Sequence, residues 1–342
     1  NDVEKMDEIV CYKTFNVVIE IPKLLIIFTH LSMKYKATLF GNITLLIVII
    51  TISACNKDVH TFNDIHFSFA FDATQERLDN LGNPSTVPAG HATQTPDFKL
   101  LSVHYIELSQ DEFTPFKDGT VLYLAPETEA GGEGAIDFDS SLVAEAGTDF
   151  LKINLERLVP GTYQYVRVSV AYQQYTVQYN VNNIPLIGNL TNQSGAIASF
   201  IGYRTYIRDL NIENLTTPIY ANKAQGFWGF ETLFTGDLAD YNAIYTGQSP
   251  AGSTTVVNPI DATSPVPAGS CVITGKFAEP LVISGDETGE LYITFSFSIN
   301  ESFEWVDTNG NGAWDIDASN AANTEQVTDM GLRGLIPNWE WK

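Results

Sequence analysis

Basic residues and cysteines are scarce in this sequence of 342 residues. Eighteen lysines and arginines stand against 41 aspartates and glutamates, which gives a net charge of −23 at pH 7. An acidic surface of this kind repels phosphate backbones, so we expect no nucleic-acid partner, whereas it suits divalent cations. The three cysteines, Cys11, Cys55 and Cys271, are too few for a disulfide framework. A hydrophobic core must therefore hold the fold together.

Common catalytic motifs are also lacking. The sequence has no Gly-x-Ser-x-Gly elbow, no His-Glu-x-x-His helix, no Walker loop and no Cys–His pairing. Its carboxylates are so numerous that a glycosidase pair could arise by chance, and no two residues can be named for it. We therefore expect a protein that is not an enzyme, with glycoside hydrolysis as a remaining alternative.

Residues 33–55 have the layout of an export signal. A short basic start with Lys34 and Lys36 precedes the apolar residues 43–52, and two small residues follow, as a signal peptidase requires. The apolar run, at about ten residues, is short for a membrane-spanning helix, which needs roughly 20. We expect residues 33–54 to be a signal peptide.

The end of this segment, Ile52-Ser53-Ala54-Cys55, resembles the lipobox of bacterial lipoproteins. The resemblance implies that Cys55 becomes the acylated first residue of the mature protein. It also implies anchoring in the outer membrane of the cell envelope, on the surface or the periplasmic face. The next residues, 56–58, are similar to the export tags of Bacteroidota-type surface lipoproteins. The alternative is an uncleaved N-terminal anchor helix with an incidental cysteine.

Apolar and polar residues alternate over long stretches of the chain. Ile65, Phe67 and Phe69 occupy every second position, and residues 291–299 follow the same pattern. A period of two indicates half-buried β-strands, and no long stripe of period 3.6 marks an amphipathic helix. The sequence predicts an all-β fold, with one or more β-sandwiches of antiparallel strands, long loops and little helix. Further strands are predicted at 100–108, 121–124, 151–155, 163–172, 175–181, 200–207, 272–277 and 281–283.

The composition also suggests where the chain divides. Residues 247–270 are rich in small and turn residues, which is typical of a linker or a long surface loop. A linker would separate two β units, whereas a loop would belong to one continuous sandwich, and both alternatives stay open. The predicted organisation is a mistranslated upstream segment at 1–32, the signal peptide at 33–54, a tether at 55–64, a main β-sandwich domain at 65–246, the loop or linker at 247–270, and a C-terminal β unit at 271–342.

The strongest chemical signal is the acidic loop DTNGNGAWDID at residues 307–317. Calcium takes six to eight oxygen ligands, and a tight loop can supply several of them. Asp307, Asn309, Asn311 and Asp315 place oxygen side chains at the first, third, fifth and ninth positions. This spacing predicts a calcium site that pins a connection between strands.

The loop resembles the calcium loops of dockerins, thrombospondin type 3 repeats and EF-hands. In those loops the seventh residue, here Ala313, gives a carbonyl ligand, and the sixth, here Gly312, makes the sharp turn. Ala318 stands at the twelfth position in place of the usual acid, so Asp317 or water would complete the shell. The alternative is a hairpin in which Asp and Asn side chains cap turns by binding their own backbone.

Three histidines lie in or near predicted strands and could form a surface metal cluster. They are His66, His91 and His104, and they lack the spacing of a metal motif. Ordinary polar histidines are the alternative. The layout also resembles MbnP-like periplasmic copper-binding proteins, although no ligand set can be matched.

Aromatic residues could form a binding surface for a glycan. Flat rings stack on the apolar faces of pyranoses, and neighbouring amides bind hydroxyl groups. A cross-strand ladder of tyrosines without any ligand is the alternative. The candidate residues are Tyr172, Tyr175, Tyr179 and Trp228.

Two functions from different classes follow. The first is a lipid-anchored envelope protein that binds a ligand, either a glycan or a protein, on a scaffold stabilised by calcium. The second is a structural or adhesive subunit, which resembles fimbrillin-type lipoproteins in precursor layout, length and β content. In such subunits a strand is exchanged between neighbours, and residues 331–337 could be that strand.

Overall fold

The computed structural model describes residues 63–77, 84–249 and 272–342. The predicted signal peptide with Cys55, the tether up to residue 62 and most of the predicted linker lie outside the described residues. Those predictions therefore stay predictions.

The described residues form β-strands joined by loops and short 3₁₀ turns, which confirms the all-β prediction. The 3₁₀ turns are Phe138–Ser140, Leu155–Arg157, Gly236–Tyr241 and Ala321–Asn323. The first ten strands are β1 Asp64–Asp72, β2 His91–Gln94, β3 Asp97–Ser109, β4 Thr120–Leu124, β5 Glu127–Thr128, β6 Ala135–Asp137, β7 Val143–Glu145, β8 Asp149–Asn154, β9 Gly161–Ile184 and β10 Gly188–Phe200. The remaining strands are β11 Arg204–Asn211, β12 Thr216–Ala224, β13 Phe227–Thr232, β14 Ile244–Gln248, β15 Val272–Ile283, β16 Leu291–Ser298, β17 Phe303–Val306, β18 Asp315–Asp317, β19 Val327–Met330 and β20 Arg333–Trp341.

Four sheets, of four, nine, four and three strands, make up the sandwich-like fold. The front sheet has the strand order β20-β16-β1-β8. The central sheet has the order β14-β13-β10-β9-β3-β4, and β15, β18 and β7 pair with its middle strands. The other two sheets have the orders β12-β11-β6-β5 and β19-β17-β2. Most pairs are antiparallel, but β1 runs parallel to β16, which the long crossing connection between them allows.

The hydrophobic core joins the front sheet to the central sheet. Phe67 and Phe69 of β1 are fully buried, and Phe295 of β16 lies beside them. Residues of the central strand β9 complete the same cluster, with Val166 and Val168 at 0 % exposure. The alternating residues seen in the sequence are therefore the inward face of the front sheet. Burial of a large apolar side chain stabilises the fold by roughly 1.5–3 kcal/mol.

Strand β9 unites two strands that the sequence predicted separately. The polar pair Gln173 and Gln174 interrupts the apolar pattern, yet both side chains are buried. The Gln174 amide donates to the Ile212 carbonyl at 2.8 Å, and Gln173 Oε1 accepts from the Leu332 N–H at 3.2 Å. Because these partners satisfy the Gln174 amide and the Gln173 oxygen, the strand continues through them, although Gln173 Nε2 is buried without a hydrogen bond among the described residues.

The strand predicted at 200–207 is wrong, because the chain changes sheets there. β10 ends at Phe200 in the central sheet, and β11 begins at Arg204 in the sheet β12-β11-β6-β5. The N–H groups of Ile201 and Gly202 both donate to the Ala171 carbonyl, which turns the chain. A Cβ at Gly202 would lie 2.5 Å from Ile136 Cδ1, so a larger residue at this position would have to displace the Ile136 side chain.

Strands from both sides of the 247–270 segment share sheets. β1 pairs with β16, and β9 pairs with β15. All described residues belong to one compact unit, Phe62–Lys342. The tail at 331–337 lies mostly in β20, which pairs with β16 at the edge of the front sheet.

Candidate functional site

The acidic loop at residues 307–317 connects β17 to β18. β17 pairs with β2 and β19, whereas β18 runs parallel to the end of β9. The Trp314 carbonyl accepts from the Asn180 N–H at 2.8 Å, and the buried Trp314 ring packs against Tyr179 and Phe230. The loop is therefore held at both ends by strands and at one side by the core.

Asp307 folds the first half of the acidic loop around its own carboxylate. Its Oδ1 accepts from the N–H groups of Gly310 and Asn311 at 2.8 and 3.2 Å, and its Oδ2 accepts from Gly312 at 2.9 Å. Gly310 and Gly312 both have φ of +73°, a conformation that glycine adopts without strain. The sharp turn expected at Gly312 is present.

Asp315 collects the amide side chains of the acidic loop. Its Oδ2 accepts from Asn309 Nδ2 at 2.6 Å and from Asn311 Nδ2 at 2.7 Å. Its Oδ1 accepts from Asn182 Nδ2 at 3.0 Å. Burial raises the pKa of the Asp315 carboxyl, but the hydrogen bonds from Asn309, Asn180, Asn311 and Asn182 outweigh burial and lower it. The structure thus brings together the side chains at positions three, five and nine, whereas Asp307 at position one binds backbone N–H groups.

Asp317 does not join that group. Its Oδ1 accepts from Ser319 and Asn320, and its Oδ2 accepts from Asn183 and Asn323. The hydrogen bonds from Ser319 and Asn323 hold the pKa of Asp317 far below its usual value. Asp317 therefore caps the next turn, and the expectation that it completes the shell beside Ala318 does not match its contacts.

Glu325 is a carboxylate of this region that the sequence pattern missed. It is 3 % exposed and lies under the acidic loop. Its Oε1 accepts from the Thr308 N–H at 2.7 Å, and its Oε2 accepts from the Asp315 N–H at 3.0 Å. The residue lies outside the spacing of the loop, so no local signal could have found it.

The donor set of the acidic loop can be compared with the needs of calcium. Asp307 and Asp315 supply carboxylates, and rotation of the Asn309 and Asn311 amides would turn two oxygens toward Asp315. In the described structure those amide oxygens accept from the N–H groups of Asn311 and Ala313, which are turn contacts. No three His, Cys, Asp or Glu side chains are grouped as for a metal ion within the described ranges. These contacts are those of the alternative, in which Asp and Asn side chains cap turns by binding their own backbone, and the calcium site stays a prediction.

The predicted glycan platform is wrong for its three tyrosines. Tyr172, Tyr175 and Tyr179 are 2 %, 0 % and 2 % exposed, so their rings cannot stack on a sugar. Burial raises the pKa of all three phenols. They are buried because β9 lies in the middle of the central sheet, which is covered on both faces. Trp228 is half-buried, and its ring lies against Gly247.

The three histidines do not form a cluster. His66 Nδ1 lies 2.8 Å from Asp149 Oδ2, and His104 Nε2 lies 2.9 Å from Glu127 Oε1. His91 pairs with the buried Glu304. Each histidine has its own carboxylate partner and belongs to a different sheet. The predicted surface metal cluster of histidines is therefore wrong.

Comparison with protein-family models, curated proteins and solved structures gives no match to this chain. Within the described residues, no helix has the length and apolarity needed to cross a membrane. The chemistry of individual residues is what supports a function.

Proposed function

We propose that this protein is an exported, lipid-anchored envelope protein with a non-catalytic binding role, on a β-scaffold stabilised by calcium. The observation that carries the calcium part is the convergence of Asn309 and Asn311 on Asp315, within a loop that Asp307 folds. The net charge of −23 also favours a divalent cation. Export and anchoring rest on the signal peptide and on Cys55.

Calcium would act by fixing a connection between strands. The acidic loop joins β17 to β18, and these strands belong to different sheets. Two carboxylates in the shell imply a dissociation constant of about 10⁻⁴ to 10⁻³ M, as in extracellular modules. At a calcium concentration ten times the dissociation constant, binding stabilises the folded state by about 1.4 kcal/mol.

Thermal melting with and without calcium tests the site. We expect the melting temperature of the wild type to rise with calcium and to fall back with a chelator. Asp315→Ala should remove this response, because it removes the carboxylate on which the amides converge. Asp317→Ala is the matched control, since that carboxylate caps a neighbouring turn, and it should keep the response. Equal melting of the wild type with calcium and with chelator would reject the site.

Intact mass and membrane partition test the lipid anchor. In a bacterium that processes lipoproteins, the mature protein should begin at Cys55, carry lipid and partition with membranes. Cys55→Ala should abolish acylation and membrane retention. A Cys55→Ala protein that still carries lipid would remove the anchor from the proposal.

A structural or adhesive subunit is the second candidate. The observation that favours it is the edge position of β20, which pairs with β16 at the end of the front sheet. A strand at an edge can leave and be replaced by the same strand of a neighbour. Oligomers that survive mild detergent and disappear when β20 is deleted would support this function. A strictly monomeric protein would reject it.

A further inference from the structure

The outer face of the front sheet forms a groove that no sequence pattern indicates. Its cavity volume is about 630 Å³. We call it the outer groove. The residues that matter for its chemistry are Ser68, Asp149, Tyr292, Thr294, Glu340 and Lys342.

Small side chains in the two middle strands create the floor of the outer groove. Ser68 of β1 is the register partner of Thr294 of β16, and their hydroxyl oxygens lie 3.0 Å apart. Ala70 and Ser296 form the next pair along the same face. Because none of these side chains is large, the floor lies below the larger residues around it.

Tyr292 forms a rigid wall at one end of the outer groove. Its ring stacks on the His66 ring with the centroids 4.4 Å apart and the planes 11° from parallel. The Tyr292 hydroxyl donates to Glu290 at 3.1 Å. His66 is 8 % exposed, and its Nδ1 is hydrogen-bonded to Asp149. Its Nε2 lies 3.4 Å from a Glu290 oxygen and makes no hydrogen bond among the described residues. The Tyr292 ring is thus held on one face by the His66 ring and at its hydroxyl by Glu290.

The face of Tyr292 that His66 does not cover is in contact with the ammonium group of Lys342. Lys342 Nζ lies 4.2 Å from the ring centroid and 2.7 Å from Glu340 Oε1. Attraction between a cation and the face of an aromatic ring is worth about 0.5–1 kcal/mol at an exposed site. The hydrogen bond to Glu340 raises the pKa of Lys342, so the group is charged at neutral pH. Lys342 therefore shows which chemical group this end of the groove accepts.

The remaining charges select for cations across the whole groove. Asp149 lies on β8 and Glu340 on β20, the two edge strands of the front sheet. Three strand spacings separate them, which is about 14 Å. Between them lie hydroxyl groups, aliphatic carbon, the Tyr292 ring and the Lys342 ammonium group. Anionic ligands would meet two carboxylates, and a pyranose would find both faces of Tyr292 covered by His66 and Lys342.

We propose that the outer groove binds an extended organic cation, a linear diamine or triamine, with one ammonium group on Tyr292 and Glu340 and another near Asp149. Lys342 competes for the first position. This inference names the ligand class of the binding role proposed above and rests on it. The aliphatic segments between the amines would lie over the hydroxyl floor.

Titration calorimetry with spermidine, at about physiological salt, tests the proposal on the full mature protein. We expect saturable binding of one equivalent. Glu340→Gln and Tyr292→Leu should each weaken it about two- to five-fold, because each loses one contact of the ammonium group. Tyr292→Phe keeps the ring face and should bind nearly as the wild type. Lys342→Met removes the internal competitor and should tighten binding.

The matched control for diffuse charge attraction is Glu129→Gln. Glu129 is an exposed carboxylate outside the front sheet, so its loss should leave binding unchanged. Equal weakening by Glu129→Gln and Glu340→Gln would overturn the proposal, because spermidine would then be attracted to the acidic surface as a whole. Absence of saturable binding would also overturn it.

A neutral oligosaccharide serves as the second probe. It distinguishes an error in the proposed ligand class from an error in the proposed binding role. If the oligosaccharide binds in a way that depends on Tyr292 and spermidine does not, the ligand class is wrong but the binding role stands. If neither probe binds and the protein forms detergent-stable oligomers, the binding role itself fails. Melting curves of all variants show whether a loss of binding reflects a loss of folding.

Discussion

At the scale of single residues, several buried carboxylates are held by backbone N–H groups. Glu231 of β13 is 0 % exposed. Its oxygens accept from the N–H groups of Glu213, Asn214 and Leu215, at 2.8, 3.0 and 3.3 Å. These residues form the turn between β11 and β12. The carboxylate therefore replaces water as the partner of a buried turn.

Glu231→Gln should destabilise the protein by about 1–3 kcal/mol, since an amide NH₂ would face backbone donors that need an acceptor. Denaturation in urea would measure the change. Glu145→Gln, at an exposed position on β7, is the control and should have little effect. If both variants unfold at the same urea concentration, the carboxylate is not what holds the turn.

His104 makes stability depend on pH. Burial lowers its pKa below the ordinary value, and the hydrogen bond to Glu127 opposes this in part. The unfolded chain, with a pKa of about 6.5, therefore takes up a proton before the folded chain does. We expect the free energy of unfolding to fall as the pH drops below that value, and His104→Gln to remove this part of the fall.

Urea denaturation at pH 8 and at pH 5.5 measures the effect of His104. Glu127→Gln provides a second check, because loss of the carboxylate charge should lower the pKa of folded His104 further and extend the fall to lower pH. An unchanged pH dependence in His104→Gln would mean that other groups cause it.

The sequence predicts single residues well where the backbone dictates them. Gly312 has a positive φ, as expected for the sixth position of the loop. The positions of Asp307 and Asn309 in the sequence were enough to predict this turn. Asp317 was expected in the same shell, but Ser319 and Asn323 bind its oxygens. A carboxylate takes the nearest donors, and here these belong to the turn that follows Asp317, which the spacing of the calcium loop does not include.

At the scale of elements, a buried ion pair fixes the loop between β3 and β4. Arg167 and Glu107 are both 0 % exposed, with Nη1 and Oε2 3.5 Å apart. Arg167 also donates to the Thr114 and Pro115 carbonyls at 2.6 and 3.3 Å. Glu107 accepts from the Gly119 N–H at 2.6 Å. Each partner therefore holds one end of the same loop.

Removal of one partner leaves the other as an unpaired buried charge. Arg167→Met should therefore cost about 3–5 kcal/mol of stability. The double variant Arg167→Met with Glu107→Gln should cost less than the sum of the single changes. Chemical denaturation of the four proteins measures the coupling, and strictly additive losses would show that the two charges act independently.

The sequence predicts where strands occur, but it does not predict whether other parts of the fold cover their faces. A period of two marks β1 and β16 because one face of the front sheet is open to solvent. β9 is covered on both faces, so the same type of residue that could bind a ligand at a surface lies in the core, as Tyr175 does. Alternation shows which residues share a face, and it does not show what covers that face.

At the scale of the whole molecule, the pairing of distant strands decides the fold. β1 begins the described chain and pairs with β16, which follows it by more than two hundred residues. No local pattern encodes such a partner. The outer groove arises from this pairing, because Ser68 and Thr294 come together only when β1 and β16 are neighbours. Sequence reasoning therefore gave the class of the fold and missed the groove.

The charge of the whole molecule gives the last prediction. With a net charge of −23, mutual repulsion opposes the compact state, and salt screens this repulsion over about 10 Å at 0.1 M. Raising sodium chloride from about 20 mM to about 500 mM, with a chelator present, should therefore increase the melting temperature. Ion pairs such as Lys99–Glu213 and Lys152–Asp64 oppose this trend, because salt weakens them. They are partly exposed, and such pairs contribute only about 0–1 kcal/mol each. A fall in melting temperature with salt would mean that local pairing outweighs the repulsion between carboxylates, and the acidic surface would then be stabilised by its few cations.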